Sequence, residues 1–265
     1  MDPSAFLKAD VGRFDLTSRL DIPDSRSMAH IICCEDAVVA GIDEASDVFS
    51  YLEGDAEPLA KEGDRIRAGS RVMSVSGPVA KILAGERTAL GFLSIMSGIA
   101  TCASDAVRAV DGKIRVAAIP SIPGFSGFEM KAVAIGGGDP HASGLDSIVF
   151  LRREHISVCG SVRNAMERVS KASVAVKKAI EVVNAQEAAD AAEGGADIIR
   201  ALDLGPEGVA DVFDAAKKVS DRIIVEACGG ITAENIADYV GKADVAILDR
   251  AQRPQGPVVF KLCFS

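Results

Sequence analysis

The chain has 265 residues and a formal net charge of −9, so it is long enough for one large α/β domain or for a barrel with a smaller domain. The acidic balance argues against nucleic acid as the main partner, because a phosphate backbone attracts a basic stripe. The longest uninterrupted apolar runs fall far short of the about 20 residues that span a bilayer, and the first residues lack a secretory signal pattern. We therefore expect a cytoplasmic protein with no membrane partner.

The composition favours a layered α/β protein. Hydrophobic residues make up 48% of the chain, with no Trp and two Tyr, which suits helices on sheets better than an aromatic-rich all-β fold. The six cysteines are scattered without the paired spacing of a metal site. Reduced thiols are the expected state, rather than zinc ligands or disulfides.

The first part of the chain predicts a small α/β domain. Short strands precede a helix at 42–51, and glycine-punctuated strands follow at 62–78. The longest periodic helix is predicted at 86–110, where apolar residues recur every three or four positions. Residues 1–110 are therefore expected to form an α/β sandwich, barrel-sandwich-like, that includes this helix.

After residue 110 the pattern alternates between strand and helix. Repeated βα units of this length predict a parallel sheet, and we expect residues 111–250 to form an incomplete β/α barrel. Residues 251–265 are expected to return to the first domain. The predicted strands lie near 115–119, 147–151, 175–183, 196–202, 222–227 and 244–248, and the predicted helices at 126–135, 160–171, 186–194, 207–219 and 233–241.

Polar residues follow five of the predicted strands at their carboxyl ends, where barrel enzymes place their chemistry. Glu181 and Asp203 are two acids that would hold a divalent cation, which in turn would bind a diphosphate. The alternative is that both are solvated loop acids. The five strand ends carry Arg152, Glu181, Asp203, Cys228-Gly229-Gly230 and Asp249-Arg250.

Residues 222–235 predict a phosphate-binding turn. A short apolar strand is followed by Gly229 and Gly230, and Thr232 is a candidate N-cap for the next helix, so backbone amides would converge on one spot with the helix dipole behind them. A turn that needs glycine only for steric reasons is the alternative, because two glycines at a βα junction are a weak motif.

The helix sequence Glu-Arg-Thr-Ala-Leu-Gly-Phe-Leu-Ser-Ile-Met at 86–96 is the most specific of several motifs in the chain. Together these motifs resemble the quinolinate phosphoribosyltransferase family, also called nicotinate-nucleotide pyrophosphorylase. The order of the motifs matches over nearly the whole chain. Further matches are Pro123-Gly124, Gly136-Gly-Gly138, His141, Gly144-Leu145, the Glu181 strand, Leu202-Asp203 and Val225-Glu-Ala-Cys-Gly-Gly-Ile-Thr-Ala-Glu-Asn.

The resemblance implies a type II phosphoribosyltransferase. Such an enzyme joins a ring nitrogen of a small heterocyclic acceptor to ribose-5-phosphate from phosphoribosyl pyrophosphate (PRPP), and it releases pyrophosphate. The family forms homodimers or larger symmetric oligomers, in which Arg87 would reach the partner's active site. By resemblance, Glu181 and Asp203 are the catalytic and Mg²⁺-binding acids, Arg87, His141, Arg152 and Lys131 bind substrate, and Cys228, Gly229, Gly230 and Arg250 bind phosphate.

The sequence departs from the family at several cations. Where the family has a Thr-Arg-Lys-Thr run, this chain has Ala118-Ile119-Pro120-Ser121, and Ser126 and Ala142 replace further arginines. Asp249 replaces a glycine near the phosphate turn. Each lost charge-assisted contact to a carboxylate removes roughly 1.5–3 kcal/mol, so we expect an acceptor less charged than quinolinate, oriented by Arg152.

Two short stretches resemble a divergent branch of the family. Lys131-Ala-Val and Asp139-Pro-His141 are similar to the pyrophosphorylase-like proteins associated with molybdate transport. The rival hypothesis is a non-catalytic binding or regulatory homologue that kept the fold and the dimer. The retained acids, Arg87 and the glycine turn favour the enzyme, whereas the missing Arg-Lys pair is the main argument for the rival.

Overall fold

The computed structural model of the chain describes residues 2–17, 25–141, 144–248 and 256–265. It divides into two compact units. The first comprises residues 1–104, 127–137 and 252–265, and the second comprises residues 105–126 and 138–251.

Strands occur along the whole chain, as the alternation of patterns predicts. They are β1 (Arg26–Cys33), β2 (Ala37–Val38), β3 (Asp55–Pro58), β4 (Arg65–Ile66), β5 (Arg71–Pro78), β6 (Arg115–Ala118), β7 (Asp139–Pro140), β8 (Val149–Leu151), β9 (Lys178–Val182), β10 (Ile198–Leu202), β11 (Ile224–Cys228), β12 (Val245–Leu248) and β13 (Phe260–Phe264).

The helices in the described ranges are α1 (Ser4–Val11), α2 (Ile42–Tyr51), α3 (Val79–Val110), α4 (Ser126–Ile135), α5 (Arg153–Cys159), α6 (Val162–Val169), α7 (Ala185–Glu193) and α8 (Pro206–Val219), with a single 3₁₀ turn at Ile236–Tyr239. Most of these helices lie within two residues of a predicted position, whereas α1 and α5 fall outside the predicted helices and α3 begins earlier.

The first unit is built on an antiparallel sheet in the order β13-β1-β5-β3. β1 is one of the two inner strands of this sheet. It pairs with β5 on one side and with β13 on the other, where Ala29 lies opposite Phe264. A second, two-stranded sheet joins β2 and β4. The mixed sheet and helix arrangement confirms the predicted α/β character.

Helix α3 begins at Val79, directly after strand β5 and seven residues before the predicted start. It is long and apolar enough to span a bilayer by length and composition alone, but 56% of its most apolar 18-residue window is buried inside the protein. Phe92 packs edge-on against Phe6 and Phe128, with ring centroids 5.3 and 5.0 Å apart. Such burial is what a core helix of the first unit requires.

The second unit contains a seven-stranded parallel sheet in the order β7-β6-β12-β11-β10-β9-β8. All six pairings are parallel, and the sheet curls into a half-barrel, which confirms the predicted incomplete barrel. Its interior includes a buried apolar cluster of Ala117, Cys228, Val245 and Ile247. The carboxyl ends of the strands therefore lie along one edge, where the candidate site forms.

One predicted helix is wrong. Residues 233–241 form only the four-residue 3₁₀ turn at Ile236–Tyr239, because Val240 is already extended with ψ of 126°. The turn is fixed instead by Asn235, whose side chain accepts from Thr232 N and donates to Gly230 O, both at 2.8 Å. So short a turn has almost no macrodipole, and the predicted dipole behind the glycine turn is absent.

Candidate functional site

A cavity of about 790 Å³ opens in the second unit. This size lies in the range of small-molecule sites, about 300–1,000 Å³. Its wall is formed by residues after β6, around β8, and by side chains of β9 and β10. The lining residues used below are Ile119, Pro120, Ser126, His141, Phe150, Arg152, His155, Glu181 and Arg200.

Three neighbouring strands each carry one charged residue inside the half-barrel. Arg200 on β10 pairs in register with Glu181 on β9 and with Glu226 on β11. All three are buried, with relative exposures of 3%, 8% and 2% respectively. Because parallel strands in register place equivalent side chains side by side, Glu181, Arg200 and Glu226 form a row across the sheet.

Arg200 and Glu226 form a buried ion pair. The Nε and Nη2 atoms of Arg200 donate to Glu226 Oε2 at 2.9 and 2.8 Å, and His141 Nε2 lies 2.7 Å from Oε1. Burial opposes ionisation of Glu226, but the hydrogen bond to His141 and the charge of Arg200 outweigh it and hold its pKa below the usual range. Both oxygens of Glu226 are therefore engaged by the protein.

Glu181 is held at the cavity wall by the start of α5. Its Oε2 accepts the backbone N–H of Arg153 at 2.9 Å. The Arg153 side chain pairs with Glu187 at 2.6 and 3.1 Å, and its Nη1 also donates to the backbone carbonyl of Glu181 at 3.4 Å. One oxygen of Glu181 thus has a fixed donor, while the carboxylate faces the cavity.

Arg152 is the exposed cation of the lining. Its backbone N donates to His155 Nδ1 at 3.1 Å. Among the described residues its guanidinium has no ion pair, in contrast to Arg153 and Arg200. Arg152, the predicted orienting residue, therefore lies at the cavity, and no carboxylate of the described residues pairs with it.

The turn after β11 lies against Asp203. Gly229 and Gly230 have φ of 114° and 66°, and Asp203 is one of the non-glycine residues with positive φ, at 54°. Asp203 N donates to the carbonyl of Cys228 at 2.8 Å. The structure thus brings the predicted acid and the predicted phosphate turn into contact, although neither Asp203 nor the glycines belong to the cavity lining.

Two predicted substrate residues are found in the first unit, outside the cavity lining. Arg87 pairs with Asp10, and its side chain is 86% exposed. Lys131 Nζ lies 2.9 Å from both Asp43 and Glu44 and 3.7 Å from Glu62. Arg250, Asp249 and Ala142 lie outside the described residues.

Comparison with known proteins identifies the lineage. The family models named quinolinate phosphoribosyl transferase, N-terminal and C-terminal domain, match residues 15–97 and 99–253. A probable nicotinate-nucleotide pyrophosphorylase (carboxylating) of Methanothermobacter thermautotrophicus is 36% identical over 88% of this chain and 86% of its own. The chain belongs to the quinolinate phosphoribosyltransferase family.

Other relatives agree with this assignment. A probable nicotinate-nucleotide pyrophosphorylase of Bacillus subtilis is 31% identical over 89% of this chain and 82% of its own. The crystal structure of NadC from Streptococcus pyogenes superposes with a TM-score of 0.87 at 26% identity, covering 99% of this chain and 95% of that one. The named relatives are pentosyltransferases, so family membership places the chain in that enzyme class.

Arg200, Glu226 and Phe150 were not among the residues predicted for the site of this quinolinate phosphoribosyltransferase-family chain. The signal for two of them is present in the sequence. Arg200 and Glu226 each interrupt an otherwise apolar strand, as Glu181 does. A charge inside a buried strand needs a partner, and aligning the three strands in parallel would have paired them.

Proposed function

We propose that this chain transfers ribose-5-phosphate from PRPP to a ring nitrogen of a small heterocycle and releases pyrophosphate. One observation carries the proposal: a cavity of ligand size at the carboxyl edge of the half-barrel, with Glu181, His141 and Arg152 in its lining. Family membership supplies the reaction class, and the cavity is where such a reaction would take place.

The proposed Mg²⁺ site uses Glu181 and Asp203. Mg²⁺ is commonly bound through one or two carboxylates together with substrate phosphates. Within the described ranges there is no cluster of three or more His, Cys, Asp or Glu that could hold a metal. Glu181, with one oxygen bound by Arg153 N, and Asp203, which follows the neighbouring strand, are the two carboxylates proposed for this mode, which needs a diphosphate to complete it. Bound there, the ion would neutralise the charge of the leaving pyrophosphate.

The proposed site for the 5'-phosphate is the backbone of Gly229 and Gly230, with Cys228 before them and Arg250 as a further cation. Backbone N–H groups in glycine-rich turns can form anion-binding concavities, and the positive φ of both Gly229 and Gly230 supports such a turn here. The amides, rather than a helix dipole, carry this proposal, since the following 3₁₀ turn is too short to contribute one.

The acceptor is proposed to carry fewer negative charges than quinolinate. Ile119, Pro120 and Ser126 line the cavity at positions where the resemblance places basic groups. The charged lining consists of Arg152, Arg200 and Glu181, with Glu226 paired to Arg200 behind it. The two arginines are thus offset by the two glutamates. Two carboxylates on one ring would be poorly neutralised there, whereas a monocarboxylate or neutral azole would not.

The oligomer proposed is a homodimer in which Arg87 completes the partner's site. Its high exposure and its anchoring by Asp10 support a side chain presented at a surface. Lys131 keeps its proposed substrate role only if a ligand competes with three carboxylates for it. A cytoplasmic location remains the proposal for a chain of this family.

A non-catalytic homologue is the second candidate, favoured by the apolar residues at 119 and 120. The deciding experiment measures pyrophosphate release from PRPP and Mg²⁺ with quinolinate, nicotinate and imidazole, and PRPP binding by calorimetry. We expect PRPP binding, and turnover with nicotinate or imidazole exceeding that with quinolinate. Glu181→Gln is the control that should abolish release.

Efficient use of quinolinate would remove the altered-acceptor proposal and leave the family reaction. Binding of PRPP without release on any acceptor would favour the non-catalytic homologue. Failure to bind PRPP at all would overturn the proposed function.

A further inference from the structure

Arg200 is a cation of the cavity lining to which the proposed reaction assigns no contact with a ligand. It is 3% exposed, yet it belongs to the cavity lining. Its guanidinium carbon lies 4.4 Å from the centroid of the Phe150 ring, and Phe150 lines the same cavity. The ring therefore holds the guanidinium plane from one side, as cation–π contacts do.

The hydrogen bonds of Arg200 leave donors unused. A guanidinium has five N–H groups. Two of its nitrogens, Nε and Nη2, donate to the same oxygen of Glu226, whereas Nη1 donates to no atom of the residues that the structure describes. Nη1 is not one of the buried unpaired polar atoms of the described residues, so this edge of the guanidinium is open to the cavity. The cavity is the space from which a ligand would reach it.

Glu226 limits what that ligand can be. Both of its oxygens are engaged, by Arg200 and by His141. Its negative charge offsets Arg200, so the pair offers donors without net positive charge. One anionic group on a ligand gains charge-assisted hydrogen bonds from Arg200, whereas a second group beside it meets Glu226 and Glu181 in a poorly solvated wall. Arg152 is the other cation of the lining, but it is exposed, so water screens its attraction for that second group.

We infer that Arg200, held by Glu226 and stacked on Phe150, is a specificity-determining residue that binds a single carboxylate of the acceptor and that Glu226 excludes a second. The inference rests on the proposed function and deepens it by naming the acceptor class as a heteroaromatic monocarboxylate. A buried ion pair that merely fills the half-barrel is the competing explanation, and it makes different predictions for the two partners.

The experiment compares nicotinate and quinolinate as probes by calorimetry. Glu226→Gln removes the charge while keeping an acceptor for Arg200 and a donor for His141. Arg200→Met alone would leave Glu226 buried without its cation and could unfold the chain. The double variant Arg200→Met/Glu226→Gln removes both charges and keeps the fold testable. Arg168→Met, an exposed arginine on α6 outside the cavity lining, is the matched control.

We expect Glu226→Gln to tighten quinolinate relative to nicotinate by about tenfold, since one opposing buried charge is gone. The double variant should weaken nicotinate by at least about tenfold, the loss expected for a charge-assisted contact. Arg168→Met should bind both probes as the wild type does. A purely structural pair predicts that both Glu226→Gln and the double variant affect the two probes equally.

The inference is overturned if the quinolinate-to-nicotinate ratio is unchanged in Glu226→Gln, if the double variant keeps its nicotinate affinity, or if the wild type binds neither probe. These outcomes can be distinguished from a failure of the proposed function. Nicotinate binding that depends on Arg200 without any PRPP binding would leave the subsite standing and remove the reaction. PRPP cleavage with nicotinate binding independent of Arg200 would do the reverse.

Discussion

Asp203 and Gly229 lie so close together that the turn after β11 has no room for a side chain. A Cβ on Gly229 would lie 2.7 Å from both the N and the Cα of Asp203. The hydrogen bond from Asp203 N to the Cys228 carbonyl, 2.8 Å long, fixes the same contact. The proposed metal-binding acid and the proposed phosphate turn are thus one rigid pair of loops.

The first prediction follows from this contact. Gly229→Ala should destabilise the protein by about 1–3 kcal/mol, because it adds backbone strain at φ of 114° and displaces Asp203. It should also weaken binding of PRPP with Mg²⁺. Gly230→Ala is the matched control, since its φ of 66° is strained but its Cβ would meet open space. Urea unfolding and calorimetry measure both; equal effects of the two variants would contradict a role for the contact.

The second prediction tests the proposed phosphate turn by charge alone. Asn and Asp both tolerate the left-handed conformation of Gly230 and have nearly the same shape. Gly230→Asp should therefore weaken binding of inorganic phosphate and PRPP much more than Gly230→Asn, with similar unfolding midpoints. Equal affinities in the two variants would place the phosphate elsewhere.

The third prediction concerns the ion cluster around Lys131. Burial opposes the charge of Lys131, but hydrogen bonds to Asp43 and Glu44 outweigh it, so its pKa lies above the usual value. Its stabilising charge is thus fully present at neutral pH. The pKa of Glu62 is raised chiefly by burial, with Lys131 acting in the opposite direction.

Lys131→Met should therefore cost about 1–3 kcal/mol of unfolding free energy near pH 7, since it leaves three carboxylates around one site. Without the lysine, the pKa of Glu62 should rise further. A carboxyl whose pKa is raised on folding destabilises the folded state when it ionises, so the cost should shrink as pH falls toward 5. Urea unfolding at both pH values, with exposed Lys171→Met as control, measures it; a cost independent of pH would contradict the cluster's role.

The fourth prediction tests Arg87 across the proposed dimer. Arg87→Ala and Glu181→Gln should each abolish pyrophosphate release. Co-purified mixed dimers of the two variants should recover part of it, because one site would then contain an intact Glu181 and the partner's Arg87. Absence of recovery in mixed dimers, or a monomer by sedimentation at micromolar concentration, would remove the shared-site proposal.

Much of the fold follows from the sequence because buried strands between glycines are locally distinctive. The strands β9 to β12 and the helix at Ile42–Tyr51 are found where apolar runs and helical spacing place them. The first two turns of α3 are missed because Val79 to Ala84 follow Pro78 without the turn that normally separates a strand from a helix.

Part of the site could be predicted from the sequence, and the rest depends on tertiary packing. Glu181, His141 and Arg152 reach the cavity because their positions at strand ends fix them. The partners of Lys131 are distant in sequence and depend on tertiary packing, which no local pattern encodes. The helix predicted after Gly230 fails because the Asn235 side chain satisfies Thr232 N and so stabilises a turn instead.

The pairing of β1 with β13 has a consequence for folding. The sheet around Ala29 is complete only after the residues near Phe264 have been synthesised and have paired with it. Every strand of the half-barrel lies between them in the chain, so the parallel sheet can form while β1 still lacks one neighbour. Closing so long a loop is entropically slow. During synthesis, one edge of β1 therefore stays unpaired and open to wrong partners until the last strand emerges from the ribosome.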